Sequence, residues 1–163
     1  MVTLAVSREQ VMNWLSAVPD PEIPVLTITD LGIVRDVTIG EEVTVDLSPT
    51  YSGCPATEVI EQSVIDALHE NGVDDVVIKR VLSPAWTTDW ISAEGRNKLK
   101  EYGIAPPEDG ASKRELLQGS HGIACPRCDS TNTQVVSEFG STACKASYKC
   151  SDCLEPFEYF KCI

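Results

Sequence analysis

Two C-x-x-C pairs near one end of this chain constrain its fold more than any other feature. Cys125-Pro126-Arg127-Cys128 and Cys150-Ser151-Asp152-Cys153 are separated by 21 residues. Each pair turns the backbone so that two thiolates face one ion, and a hairpin that joins the pairs completes a tetrahedral four-thiolate site. Thr133-Gln134-Val135-Val136-Ser137 and Ala146-Ser147-Tyr148-Lys149 between them, and Phe157-Glu158-Tyr159-Phe160 after them, are strand-like. The 41 residues from 123 to 163 are too few to bury a core of their own, so a metal staple is expected. The reading is a zinc ribbon with Cys125, Cys128, Cys150 and Cys153 as ligands. Zinc is preferred over a rubredoxin-like iron because closed four-thiolate zinc sites are the commoner, and its role is structural.

Cysteine usage divides the chain. Only Cys54 precedes position 107, while six follow it. The chain opens Met1-Val2-Thr3-Leu4-Ala5 without a basic or apolar signal region, and no stretch approaches the ~20 apolar residues of a membrane span. The expectation is therefore a cytoplasmic protein with no membrane partner, in which clustered cysteines bind metal rather than form disulfides. Cys144 and Cys162 fall outside the four-thiolate set. Both read as small buried apolar residues, with an iron-sulfur cluster drawing on some of the six cysteines left as the alternative. The net charge of −12 disfavours nucleic acid, whose phosphates need clustered cations. Most of that charge lies early, −10 over residues 1–106 and −2 over residues 107–163.

Before position 106 the pattern predicts a small α+β domain. Ser7-Arg8-Glu9-Gln10 has the form of a capping box and opens a helix over 8–18, which Asp20-Pro21-Glu22-Ile23-Pro24 must end. Residues 33–39 and 42–47 alternate β-branched and polar residues around Gly40-Glu41 and read as a hairpin. A helix over 55–71, with Pro55 as its first residue, carries Val59, Ile60, Val64, Ile65 and Leu68 on one side. Val76, Ile78, Val81 and Leu82 suggest a third strand, and Ser92 caps a short helix ending at Gly103. The fold class is α+β, a three-stranded sheet with packed helices in the order α-β-β-α-β-α, plus the ribbon. The domains are residues 1–105, a linker over 106–122 rich in Pro, Gly and Ser, and residues 123–163.

Cys54 is the outlier of the first domain. It stands at a helix N-terminus, where unpaired N–H groups favour a thiolate and thereby metal or sulfur ligation, with Gly53 allowing a tight turn before it. Thr50, Tyr51 and Ser52 offer hydroxyls nearby. An inert, buried cysteine is the competing reading. No Cys-His pair is evident, since His69 falls late in the helix and His121 lies in the linker, so the chain is not expected to be catalytic by itself. Nor is there a di-iron ligand set or a dinucleotide fingerprint.

Asp20-Pro21-Glu22-Ile23-Pro24, Asp30-Leu31-Gly32 and Thr50-Tyr51-Ser52-Gly53-Cys54-Pro55 resemble the D-P-E-x-P, D-L-G and T-x-x-x-C-P motifs of the iron-sulfur assembly family. That family includes SufT-like proteins and the small subunit of the eukaryotic cytosolic targeting complex. The ribbon, with Phe139-Gly140-Ser141-Thr142-Ala143-Cys144-Lys145 and Glu155-Pro156-Phe157-Glu158-Tyr159-Phe160-Lys161, resembles the PaaD (PaaJ) subunit family of bacterial phenylacetyl-CoA epoxidase. The resemblance implies an accessory protein of aerobic phenylacetate degradation that assembles an iron-sulfur cluster or delivers it to the epoxidase reductase. Cys54 would be the ligand or transfer thiol for a transient cluster, with Asp20, Glu22 and Thr50 beside it. The alternative is a structural or regulatory epoxidase subunit that handles no iron. A homodimer is left open.

Overall fold

The computed structural model describes residues 6–51, 53–107 and 123–160. The chain forms two compact units, Met1–Trp86 and Thr87–Ile163. The expected linker therefore falls, over residues 108–122, outside the described residues, as do Ser52, His121 and Cys162.

The first unit opens with α1 (Arg8–Leu15). Its capping box is present: Ser7 Oγ accepts the Gln10 N–H at 3.2 Å, and the Ser7 N–H reaches Gln10 Oε1 at 2.9 Å. The helix is shorter than its apolar pattern predicts. After Leu15 the N–H groups of Ala17 and Val18 turn back to Trp14 and Leu15, three residues earlier, and Pro19 then bars further helix. Val11, Leu15 and Val18 are buried as expected.

β1 (Val34–Ile39) and β2 (Val43–Leu47) form the antiparallel hairpin, with Val37 opposite Val45. α2 (Ala56–Glu70) follows, and Pro55 is its N-cap rather than its first residue. Its buried stripe is Ala56, Ile60, Val64 and Leu68, one residue every four. Val59, expected on that stripe, is 52% exposed, because it lies one position, about 100° of helix, before Ile60. β3 (Val76–Arg80) then pairs parallel to β2, with Leu47 beside Arg80, giving the order β1-β2-β3. A crossover helix between parallel neighbours is the connection such pairing requires. Leu82 lies beyond the strand and is exposed.

The second unit holds α3 (Ala93–Tyr102), β4 (Ile104–Ala105), β5 (Thr133–Ser137), β6 (Lys145–Cys150) and β7 (Pro156–Phe160). Ser92 Oγ accepts the Gly95 N–H at 2.9 Å, and Gly103 closes α3 at φ 92°, a conformation that favours glycine. The ribbon sheet has the order β4-β7-β6-β5. β4 runs parallel to β7, Ile104 beside Glu158 and Ala105 beside Tyr159. The units thus divide at 86/87, not at the expected 105/106, because β4 completes the ribbon's sheet and buries Ala105 in its core with Ile123, Phe157 and Tyr159. The tail folds with α3 and β4 rather than on its own residues alone.

Candidate functional site

Two sites can be built from the residues upward, one in each unit. In the second unit, the Sγ atoms of Cys125, Cys128, Cys150 and Cys153 all lie within 4.8 Å of one another. Cys125 and Cys153 are 3.7 Å apart, and Cys128 and Cys150 3.6 Å. A tetrahedron of thiolates about 2.3 Å from zinc has sulfur–sulfur edges of about 3.8 Å. The donor set, its number and its spacing therefore fit a four-thiolate metal ion, which when bound would hold the two knuckles together. Cys125 and Cys150 are fully buried, while Cys128 is exposed.

The knuckles share one backbone device. In each, the residue after the second cysteine adopts positive φ, Asp129 at 60° and Leu154 at 64°. The N–H of the first cysteine meets the carbonyl five residues on, Ser130 or Glu155, at 2.9 Å in both. Side chains then tie the knuckles together. Asn132 Nδ2 donates to Asp152 Oδ1 at 2.9 Å, Ser130 Oγ donates to Asp152 Oδ2, and Arg127 pairs with Glu155 at 2.6 Å. The two donors on Asp152 hold its carboxyl below the usual carboxylate range.

Without an ion the thiols contest their protons. A backbone N–H from Cys153 draws Cys150 down to about 7, aided by the backbone N–H of Asp152 and the Cys128 and Cys153 thiols against the cost of burial. At Cys128 a backbone N–H from Ser130 also pulls down, yet the Cys153 thiol, burial and the Cys150 and Cys125 thiols outweigh it and push it up to about 12. A metal must displace these protons, so affinity falls as pH falls. Cys144 stays apart from the four, buried with its Sγ 3.0 Å from Thr142 Oγ1.

In the first unit a small cleft opens where β2 and β3 both end. Asp20, Glu22, Thr50 and Cys54 line it together, with Ile33, Leu47, Pro49, Thr57, Ile60 and Arg80. The elements explain the gathering. Cys54 lies between the end of β2 and the start of α2, its N–H on Tyr51 O at 3.3 Å and its carbonyl receiving the Thr57 N–H at 3.1 Å. Gly53 turns there at φ 81°. Asp20, nearly fully buried, accepts the N–H groups of Glu22 at 2.9 Å and Ile23 at 2.8 Å, which folds the D-P-E-x-P segment back on itself. Arg80 enters from the C-terminal end of β3 and is gripped in a fork by Glu61, with Nη2 3.0 Å from Oε2 and a second bond from Nε to Oε1. Glu61 raises the Arg80 pKa further. Ends of parallel strands beside a crossover are where α/β sheets generally receive ligands. Sequence reasoning missed Arg80 and Thr57; only the parallel register of Leu47 with Arg80 brings that cation to the cleft.

Among the described residues, no helix is long and apolar enough to cross a membrane. A family model described as an iron-sulfur cluster assembly protein matches residues 8–78, and one described as the PaaD zinc β-ribbon domain matches residues 109–161. A relative from Escherichia coli (strain K12), named as one subunit of a "Putative 1,2-phenylacetyl-CoA epoxidase", is 53% identical over 94% of this chain and 92% of its own length. A crystal structure of a DUF59 domain of unknown function from Bacillus anthracis is 29% identical, with a TM-score of 0.53, over 56% of this chain and 90% of that one. A conserved hypothetical protein from Thermotoga maritima is 32% identical, with a TM-score of 0.50, over 58% and 94%. Both cover about the length of an assembly domain without a ribbon. With both modules matched in one order and more than half of the aligned positions shared over nearly the full length, this chain belongs to the PaaD family.

Proposed function

We propose that this protein is an accessory factor of aerobic phenylacetate degradation that assembles an iron-sulfur cluster or hands it to the reductase component of phenylacetyl-CoA epoxidase, in the cytoplasm. The observation that carries the reading is the cleft: one cysteine, two carboxylates and two threonines from the segment that matches an iron-sulfur assembly family converge with Arg80 at one end of the parallel strands. The cluster is cargo here. Cys54 supplies the thiolate that ligates it; Asp20, already committed to two backbone N–H groups, fixes the loop; Glu22, Thr50 and Arg80 surround the thiol with polar groups. The ribbon holds zinc, which does no chemistry.

The experiment is anaerobic reconstitution with iron and sulfide, with metal analysis before and after, alongside a Cys54→Ala variant. We expect the variant to fold with unchanged zinc and to lose at most ~1 kcal/mol, since only one sulfur atom is removed. Reductase purified from cells that carry it should be deficient in cluster. Equal cluster occupancy in wild-type and variant backgrounds would refute transfer through Cys54. It would favour the second reading, a structural subunit, to which the closed four-thiolate centre is the relevant observation because it needs only to hold a fold.

A further inference from the structure

The cleft around Cys54 is smaller than a cluster and supplies too few ligands to complete one. It encloses about 20 Å³, room for a single water. A cluster bound to Cys54 therefore lies across the mouth of the cleft, with one side open to solvent. Such clusters are held by a full set of thiolates, about four whatever their size. Cys54 is the sole cysteine before position 107, so the first unit contributes a single thiolate. Among the described residues that follow, Cys125, Cys128, Cys150 and Cys153 gather as the ribbon's metal ligands, and Cys144 is buried. Asp20 is committed to the N–H groups of Glu22 and Ile23. Glu22 and Thr50 offer only oxygen, whereas iron-sulfur clusters select thiolate.

Arg80 indicates what the missing thiolates carry. It is the one cation among the described residues that line the cleft. Glu61 engages Nε and Nη2, one edge of the planar guanidinium. The other edge, Nη1 with the second N–H of Nη2, makes no hydrogen bond among the described residues, and the side chain is half exposed. Two parallel N–H groups on such an edge match the two oxygens of a carboxylate. The Glu61 fork holds the guanidinium in place, so a second carboxylate meets a donor pair already positioned. Elsewhere the field opposes anions: residues 1–106 carry a net −10, and Glu58 also acts on Arg80 through space.

We infer that a cluster on Cys54 is completed by small thiols from solution that bear a carboxylate, one of which seats its carboxylate on the free edge of Arg80. This rests on the reading above and names the co-ligand of the same site. Delivery is then an exchange of ligands. A bond forms between iron and a cysteine sulfur of the recipient as the bond from iron to a small thiolate breaks, the recipient's thiol proton passes to the leaving thiolate, and no electron is transferred.

The test is anaerobic reconstitution of the metal-loaded full-length protein with iron and sulfide in either 3-mercaptopropionate or 2-mercaptoethanol, thiols that differ in carrying a carboxylate or a hydroxyl. Gel filtration follows, then counts of iron, sulfide and small thiol released by acid. Wild-type protein should retain cluster with about three small thiols on each. It should load at a roughly threefold lower concentration of the carboxylate thiol, a preference of the size a half-exposed charge pair gives. Arg80→Gln, checked for unchanged ribbon metal and circular dichroism, should lose the preference. Cys162→Ser should behave as wild type. Cluster retained without small thiol, equal loading with both thiols in wild type, or a preference that survives Arg80→Gln would each overturn the inference while sparing the functional reading. Loss of cluster in Cys162→Ser would make a cysteine of the chain itself the co-ligand and overturn it equally. Absence of cluster with either thiol would refute the reading of the cleft, and the inference with it.

Discussion

Leu154 is an odd choice for its position. An exposed leucine at φ 64° sits where a β-carbon is disfavoured, and it does so because the chain must turn sharply after Cys153 to send the Glu155 carbonyl back to the Cys150 N–H. Asp129 takes the same place in the other knuckle with a side chain that tolerates the conformation better. Leu154→Gly should therefore stabilise the second unit by about 0.5 kcal/mol, the relief of strain exceeding the extra chain entropy of glycine. Denaturant unfolding of the metal-loaded protein measures it, and a loss of stability would show that the leucine side chain contributes more than its exposure implies. Glu158 gives a pH signature. Its carboxylate takes the Ser141 N–H at 2.8 Å, the Ser141 hydroxyl at 3.2 Å and buried Lys145 at 3.2 Å. Burial would raise its pKa, but these donors outweigh burial and set it below the usual 4.5. The stability it contributes is present above pH 4.5 and lost as pH falls through the lower folded value. Glu158→Gln should accordingly be less stable than wild type at neutral pH, with the gap closing below about 4.5. A gap of constant size across that range would mean the carboxylate charge is irrelevant.

At the scale of elements, what was legible followed from periodicity and what was not followed from partners. The hairpin of β1 and β2 could be read because one face alternates β-branched residues, and α3 because Ser92 and Gly103 carry their own start and stop chemistry. β5 lies at the bounds its composition suggests, Thr133 to Ser137. Val59 was misplaced because an apolar residue on a helix says nothing of which side meets the sheet. β4 was invisible for a different reason: two residues have no period, and Ile104-Ala105 is a strand only because β7 lies alongside. The cleft was half legible. Asp20, Glu22, Thr50 and Cys54 belong to motifs, whereas Arg80 arrives through a strand register that no local pattern encodes. The knuckles make the sharpest prediction at this scale. Cys150→Ser should release the metal and unfold the ribbon strands, since Cys125 and Cys150 are themselves part of the buried core. Metal analysis and circular dichroism check it; full metal retention in the variant would remove Cys150 from the ligand set.

For the molecule as a whole, two units with separate cores imply two separable stabilities. Chelation should abolish only the transition of the second unit, and Cys54 should keep the same accessibility to a thiol reagent before and after. A simultaneous collapse of both units on chelation would contradict that separation.

The parallel pairing of β4 with β7 also bears on how the gene can be cut. Ala105 and Ile123 both belong to the ribbon core, so both ends of the stretch 106–122 join the second unit. That stretch is bounded at both ends by one folded body and is no tether between two. A fragment that starts at residue 106 leaves a strand behind: expression of the metal ribbon alone should succeed from residue 87 and yield poorly folded protein from residue 106.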